Sequence, residues 1–183
     1  MTASQPTSRG VASFDALADH DASAVLESCC GSYAWVQGML ARRPFGTLQR
    51  LLDDAEGLWW SLTPADWREA FDHHPRIGER ASAAPQGAKA RAWSAEEQRG
   101  AAAAATSTRE ALAEGNREYE RKFGHIYLVC ATGKSAEEML ALLEQRLSND
   151  PATELRVAAG EQVKITRLRL EKLFGASSTQ AHE

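Results

Sequence analysis

A chain of 183 residues with 43% hydrophobic side chains is near the size of one domain and can build one core without staples. Its net charge of -4 and pI near 5.8 offer no basic stripe for a phosphate backbone, which argues against nucleic acid as a partner. Met1 to Gly10 is polar, no run of about 18 apolar residues occurs, and the three cysteines Cys29, Cys30 and Cys130 are odd in number; the expectation is a soluble, unexported protein of a reducing, cytoplasmic compartment, without membrane contact or a disulfide framework.

Residues 1–12 read as a flexible tail, 13–175 as one helical domain and 176–183 as a second tail. Trp35, Val36, Met39 and Leu40, then Leu48, Leu51, Leu52, Ala55, Leu58 and Trp59, recur in steps of three and four, which predicts two amphipathic helices separated by Pro44 and Gly46. Thr63-Pro64 is an N-cap followed by proline at the first helical position. The helix it opens runs through Trp67 and Phe71 and stops near His74, because the residue before Pro75 is pushed out of the α region. Residues 75–93 show no periodicity and are rich in Gly, Ala and Pro, so they read as a long loop.

Ser94 with Glu97 restarts a helix through a capping box, and Gly115-Asn116 marks a break or kink. His125 to Ala131 is a short apolar run that fits either a buried strand or an extended connector. Ser135 with Glu138 opens a helix carrying Met139, Leu140, Leu143 and Leu147, and Asp150-Pro151 opens a last one that Gly175 closes. The fold class expected is all-α, a single-domain multi-helix bundle.

Three residues stand out chemically. On a helical wheel of the last helix, Leu155, Ala158, Ala159, Val163, Ile165, Leu170, Leu173 and Phe174 fill one arc, and Arg169 falls inside it, with Arg156 and Arg167 at its edge and Lys164 and Glu171 opposite. An inward guanidinium needs an anion: a core carboxylate in a structural pair, a route out to water, or a bound carboxylate gripped in bidentate fashion. Glu97 is the N3 residue of its capping box; it either bonds back to Ser94 or stands ionised beside a ligand held by the free amides there. His74 either caps a helix end or serves as a general acid or base. The pair His73-His74 alone does not make a metal site, since adjacent residues chelate one ion poorly and no HExxH or cysteine cluster accompanies them. No glycine-rich phosphate loop suggests a nucleotide cofactor.

The segments WVQGMLARRPF (35–45), HPRIGE (74–79), WSAEEQ (93–98), YERKFGHIYLVCATGKS (119–135) and LEQRLSNDPATELRVAAGEQVKITRLRLEKL (143–173) follow one another in an order that resembles the OHCU decarboxylase family, where OHCU is 2-oxo-4-hydroxy-4-carboxy-5-ureidoimidazoline. The resemblance covers most of the chain beyond about residue 12. It implies an all-helical homodimer that decarboxylates a ureide to S-allantoin and carbon dioxide in urate degradation, with neither metal nor organic cofactor. It also implies His74 and Glu97 as catalytic groups and Arg169 as the arginine that grips the substrate. Pro75, Ser94, Ala95, Glu96, Glu97 and Gln98 match positions lining the site, as does the backbone of Tyr127, Leu128, Val129, Cys130 and Ala131. Two rivals remain open: a non-catalytic helical scaffold, in which these side chains are caps and ion pairs, and a ureide hydrolase acting through a water nucleophile.

Overall fold

The computed structural model describes residues 10–77, 92, 93, 96 and 106–175. Eight helices have their bounds among them: α1 Val11–Asp15, α2 Asp19–Cys29, α3 Tyr33–Leu40, α4 Leu48–Ser61, α5 Pro64–Asp72, α6 Thr106–Phe123, α7 Ala136–Arg146 and α8 Pro151–Phe174. No strand occurs among the described residues, so the all-α expectation holds. No described helix is long and apolar enough to cross a membrane.

Three of the caps expected from the sequence form, and the Ser94–Glu97 box lies outside the described residues. Thr63 and Asp66 close a reciprocal capping box on α5, Ser135 and Glu138 another on α7, and the Asp150 carboxylate accepts from the Ala152 and Thr153 amides at the start of α8. Helix α2 has no such flag in the sequence: its inward residues Ala22, Leu26 and Cys29 are spaced for a helix, but two of the three are too small to stand out as an apolar stripe.

One expectation is overturned. Helix α6 passes unbroken through Gly115-Asn116. A Cβ on Gly115 would lie 2.4 Å from a methyl carbon of Leu143 on α7, so the glycine lets two helices approach closely and does not end either. Asn116, at 2% exposure, turns inward and donates its side-chain N–H to the Ile77 carbonyl at 3.0 Å.

Helix α8 runs through the middle of the molecule and packs against α2, α4, α5 and α6, while α6 and α7 lie against each other. Two apolar clusters result, one around α8 and one between α6 and α7. The segment 126–131 divides them. It is extended without being part of a sheet, and its side chains alternate: Ile126, Leu128 and Cys130 enter the α8 cluster, whereas Tyr127, Val129 and Ala131 enter the other.

A buried ion pair fastens this ribbon. Glu154, fully buried on the first turn of α8, accepts from Arg146 Nε at 2.7 Å, from the Asn149 side chain at 2.7 Å and from the Tyr119 hydroxyl. Arg146 Nη1 then donates to the Leu128 carbonyl at 2.8 Å, and its guanidinium lies 4.8 Å from the centre of the Tyr127 ring. Every donor on that guanidinium that faces the interior thus meets an acceptor or a ring, which is what a buried charge requires.

Candidate active site

His74 stands at the C-terminal edge of α5. Its amide closes the last turn on the Phe71 carbonyl at 2.9 Å, and Pro75 then forces the chain out of the helix. Beyond Pro75 the backbone is tied to α6 twice: Arg76 grips Glu120 in bidentate fashion at 2.6 and 2.8 Å, and the Ile77 carbonyl accepts from Asn116. These ties hold the turn against the bundle and leave the His74 ring facing α8.

On α8, Gln162, Thr166 and Arg169 occupy positions i, i+4 and i+7, one face of the helix, and all three are buried. His74 Nε2 and Gln162 Oε1 lie 2.9 Å apart, and Gln162 Nε2 donates to Thr166 Oγ1 at 3.0 Å. Arg169, at 4% exposure, reaches back toward the end of α2, where Nη1 donates to the Ser28 carbonyl at 3.4 Å. The inward orientation expected for Arg169 is therefore present; of the two residues expected opposite, Lys164 is exposed and Glu171 half-buried, and the edge residues Arg156 and Arg167 are exposed.

The electrostatics follow from this placement. Burial first, and then the nearby Arg169 cation, push the His74 imidazole down to about 3, so it is neutral across the ordinary pH range. Burial also pushes the Cys30 thiol up to about 12, although a hydrogen bond with Thr166 and the Arg169 charge oppose that rise. Cys30 is thus an uncharged neighbour of these groups.

His73 is placed differently. Its ring packs over Gly31, where a Cβ would lie 2.2 Å from the ring carbon Cγ. His125 is farther still from these groups in role, stacked between Phe71, Tyr119 and Phe123 with Nδ1 turned to the Ile126 carbonyl at 3.0 Å. Of His73, His74 and His125, His74 is the one brought to Gln162 and Arg169.

The remaining site candidates divide. Glu96 pairs with Lys172, and Trp93, just ahead of the candidate segment, is buried against the main cluster with the same lysine 5.9 Å from its ring centre, so both stand beside the last turns of α8. Pro75 is half-buried beside His74. Ser94, Ala95, Glu97 and Gln98 lie outside the described residues. Tyr127, Leu128, Val129, Cys130 and Ala131 form the ribbon, which touches α8 where the Cys130 amide donates to Glu161 Oε2 at 2.7 Å, one residue before Gln162. Glu154, Gln162 and Thr166 were not flagged by the sequence, because polar residues at inward positions read as surface until their partners are known. Their spacing along α8 was the available signal.

A shallow cleft of about 300 Å³ opens between α3, α4 and α8, lined by Trp35, Leu52, Trp59, Val163 and Leu170, with Thr166 also at its wall. Neither His74 nor Arg169 lines it. Among the described residues no group of three or more His, Cys, Asp or Glu is placed to hold a metal ion.

Comparisons with known proteins agree on one family. The profile described as OHCU decarboxylase matches residues 15–171. The uric acid degradation bifunctional protein TTL of Arabidopsis thaliana is 40% identical over 147 residues, 80% of this chain and 45% of its own length. The 2-oxo-4-hydroxy-4-carboxy-5-ureidoimidazoline decarboxylase of Mus musculus is 37% identical over 76 residues, 42% of this chain and 43% of its own. The chain thus spans less than half the length of these sequence relatives. Among solved structures, OHCU decarboxylase crystallised in the presence of (S)-allantoin superposes with a TM-score of 0.71 at 37% identity, over 82% of this chain and 97% of that one. An (S)-allantoin synthase, 16% identical, shares the fold with a TM-score of 0.68 over 94% of this chain and 56% of that one.

Proposed function

Since the chain belongs to the OHCU decarboxylase family, we propose that it decarboxylates 2-oxo-4-hydroxy-4-carboxy-5-ureidoimidazoline to S-allantoin and carbon dioxide, with His74, Glu97 and Arg169 as its catalytic groups. The observation that carries this reading is the convergence of a neutral His74 and a buried Arg169 on one face of α8, with the ribbon 127–131 alongside.

The substrate bears hydroxyl and carboxylate on one carbon beside a ring C=N. The bond to the carboxylate breaks, carbon dioxide leaves, and the electron pair drains into the imine, so the ring is its own electron sink and no organic cofactor is called for. Arg169 anchors an oxygen-bearing group, most simply the carboxylate, through its planar fork. His74, neutral, exchanges a proton with the hydroxyl or the developing intermediate, and Glu97 holds the substrate and shares in proton transfer. Pro75 and the ribbon backbone line the site, and Ser94, Ala95, Glu96, Glu97 and Gln98 are assigned to substrate binding on the family resemblance; with the Cys130 amide already donated to Glu161, ring and ureido oxygens are read by the groups around it. Proton delivery from one face fixes the hand of the product.

The active species in this reading is a cytoplasmic homodimer without metal. The buried cysteines Cys29, Cys30 and Cys130 suit a reducing compartment in this reading. The deciding experiment supplies freshly generated substrate and follows circular dichroism: the expected result is one enantiomer of allantoin formed faster than the spontaneous racemic decay, undiminished by a chelator, with carbon dioxide released. Racemic product at the background rate overturns the enzyme reading, and turnover without gas release favours the hydrolase.

A further inference from the structure

Gln162 has no part in the reaction as described, yet its side chain is wholly buried and both ends of its amide are engaged. Two proton arrangements fit the distances. In one, Gln162 presents its oxygen to His74, which must then carry its proton on Nε2. In the other, the amide is reversed and donates to Nε2, so the proton sits on Nδ1.

Thr166 decides between them. A threonine hydroxyl within a helix has the carbonyl one turn back as a ready acceptor. With its own hydrogen able to turn to that carbonyl, Thr166 Oγ1 accepts from the Gln162 NH₂ at 3.0 Å. That turns Gln162 Oε1, which has lone pairs only, toward His74. Among the described residues the His74 side chain is hydrogen-bonded through Nε2, and the ring lies close enough to Arg169 to feel its charge, which disfavours a second ring proton.

We infer that Gln162 is the positioning residue of His74: held in orientation by Thr166, its side-chain oxygen takes the Nε2–H and leaves Nδ1 as the nitrogen that exchanges the substrate proton. The identity of that proton rests on the decarboxylase reading. The tautomer does not, since it exists in the substrate-free chain.

The test is a long-range ¹H–¹⁵N spectrum of the full chain labelled with ¹⁵N-histidine, at neutral pH and without substrate, with the His74 signal identified among the five histidines by its loss in His74→Asn. The expected spectrum shows Nε2 protonated and Nδ1 bare; a proton on Nδ1 overturns the inference. Gln162→Leu, with its helical dichroism intact, should let the ring exchange tautomers and lower kcat by about 10- to 100-fold, below what a whole general acid–base group supplies, with KM changed by less than about twofold. Gln162→Glu places an anion beside the imidazole and favours its protonated form, so the acid limb of the kcat profile should move up toward neutrality. A structural role alone would change stability and leave tautomer and pH limb where they were, which also overturns the inference. Where either variant fails to fold, the wild-type spectrum alone decides. If no allantoin forms, the decarboxylase reading falls while the spectrum still decides the role of Gln162.

Discussion

Glu154 and Arg146 meet at 2.6 Å with the carboxylate shut off from solvent, one at the start of α8 and the other at the end of α7. The pair is a hinge pin: through Asn149 it fixes the turn between the two helices, and through the Leu128 carbonyl it fixes the ribbon beside α8. Glu154→Ala should therefore lower stability by about 3–5 kcal/mol, since it strands a buried guanidinium. Urea unfolding measures this, and a loss under about 1 kcal/mol would show that Arg146 finds water or another anion.

His74 supplies a second expectation through linkage. Its imidazole titrates near 6.5 in an unfolded chain and is held at about 3 here, so between those values the unfolded state binds the extra proton. Stability should fall as pH drops below about 6.5, by about 1.4 kcal/mol per pH unit from this group, and should owe nothing to it above that. His74→Asn should flatten that slope, abolish turnover and leave helical dichroism unchanged. Equal slopes in both proteins would mean that the ring is solvated.

Arg169 is coupled to the same ring. Its charge is one of the causes that hold the His74 imidazole low, so Arg169→Met should raise the His74 titration, though burial keeps it below the ordinary value. Allantoin binding should be lost in Arg169→Met, and turnover should collapse in Arg169→Lys, which keeps the charge without the planar fork. An unshifted His74 in the methionine variant, read by NMR titration, would show that the guanidinium charge does not reach the ring.

Much of this was legible in the chain. Thr63-Pro64 and Asp150-Pro151 announce their helices because caps are local, and Pro75 fixes the end of α5 for the same reason. Arg169 was legible as an exception, a charge within an apolar arc. Gln162 and Thr166 were not, because a neutral polar residue on a helix costs little to imagine at the surface, and only the His74 ring, 88 residues away, shows why Gln162 is inside. Arg146, Asn149 and Asp150 carried part of the family resemblance, but their work is an ion pair, a carboxylate contact and a cap, which needs Glu154 and the helix start in view. Gly115 misled because a glycine that admits a neighbouring side chain looks the same in sequence as one that ends a helix.

Gly31 gives the fourth expectation. A methyl group there meets the His73 ring at 2.2 Å, so Gly31→Ala must displace the residue next to His74. Overpacking of this kind should cost about 1–3 kcal/mol and, on the proposed role of His74, reduce kcat by moving its ring. Wild-type melting temperature and kcat in the variant would show that His73 can swing aside freely.

The alternation of residues 126–131 between two cores has a consequence for length. Deleting one residue inside that stretch would send every side chain after it to the wrong side, carrying the Tyr127 ring or the Leu128 side chain into a space shaped for the other, and both cores would misfit at once. Deleting two would keep each remaining side chain facing its own core and shorten the path by about 6.6 Å. Insertions and deletions there obey parity: odd changes invert the wall between the clusters, and even ones only alter its span.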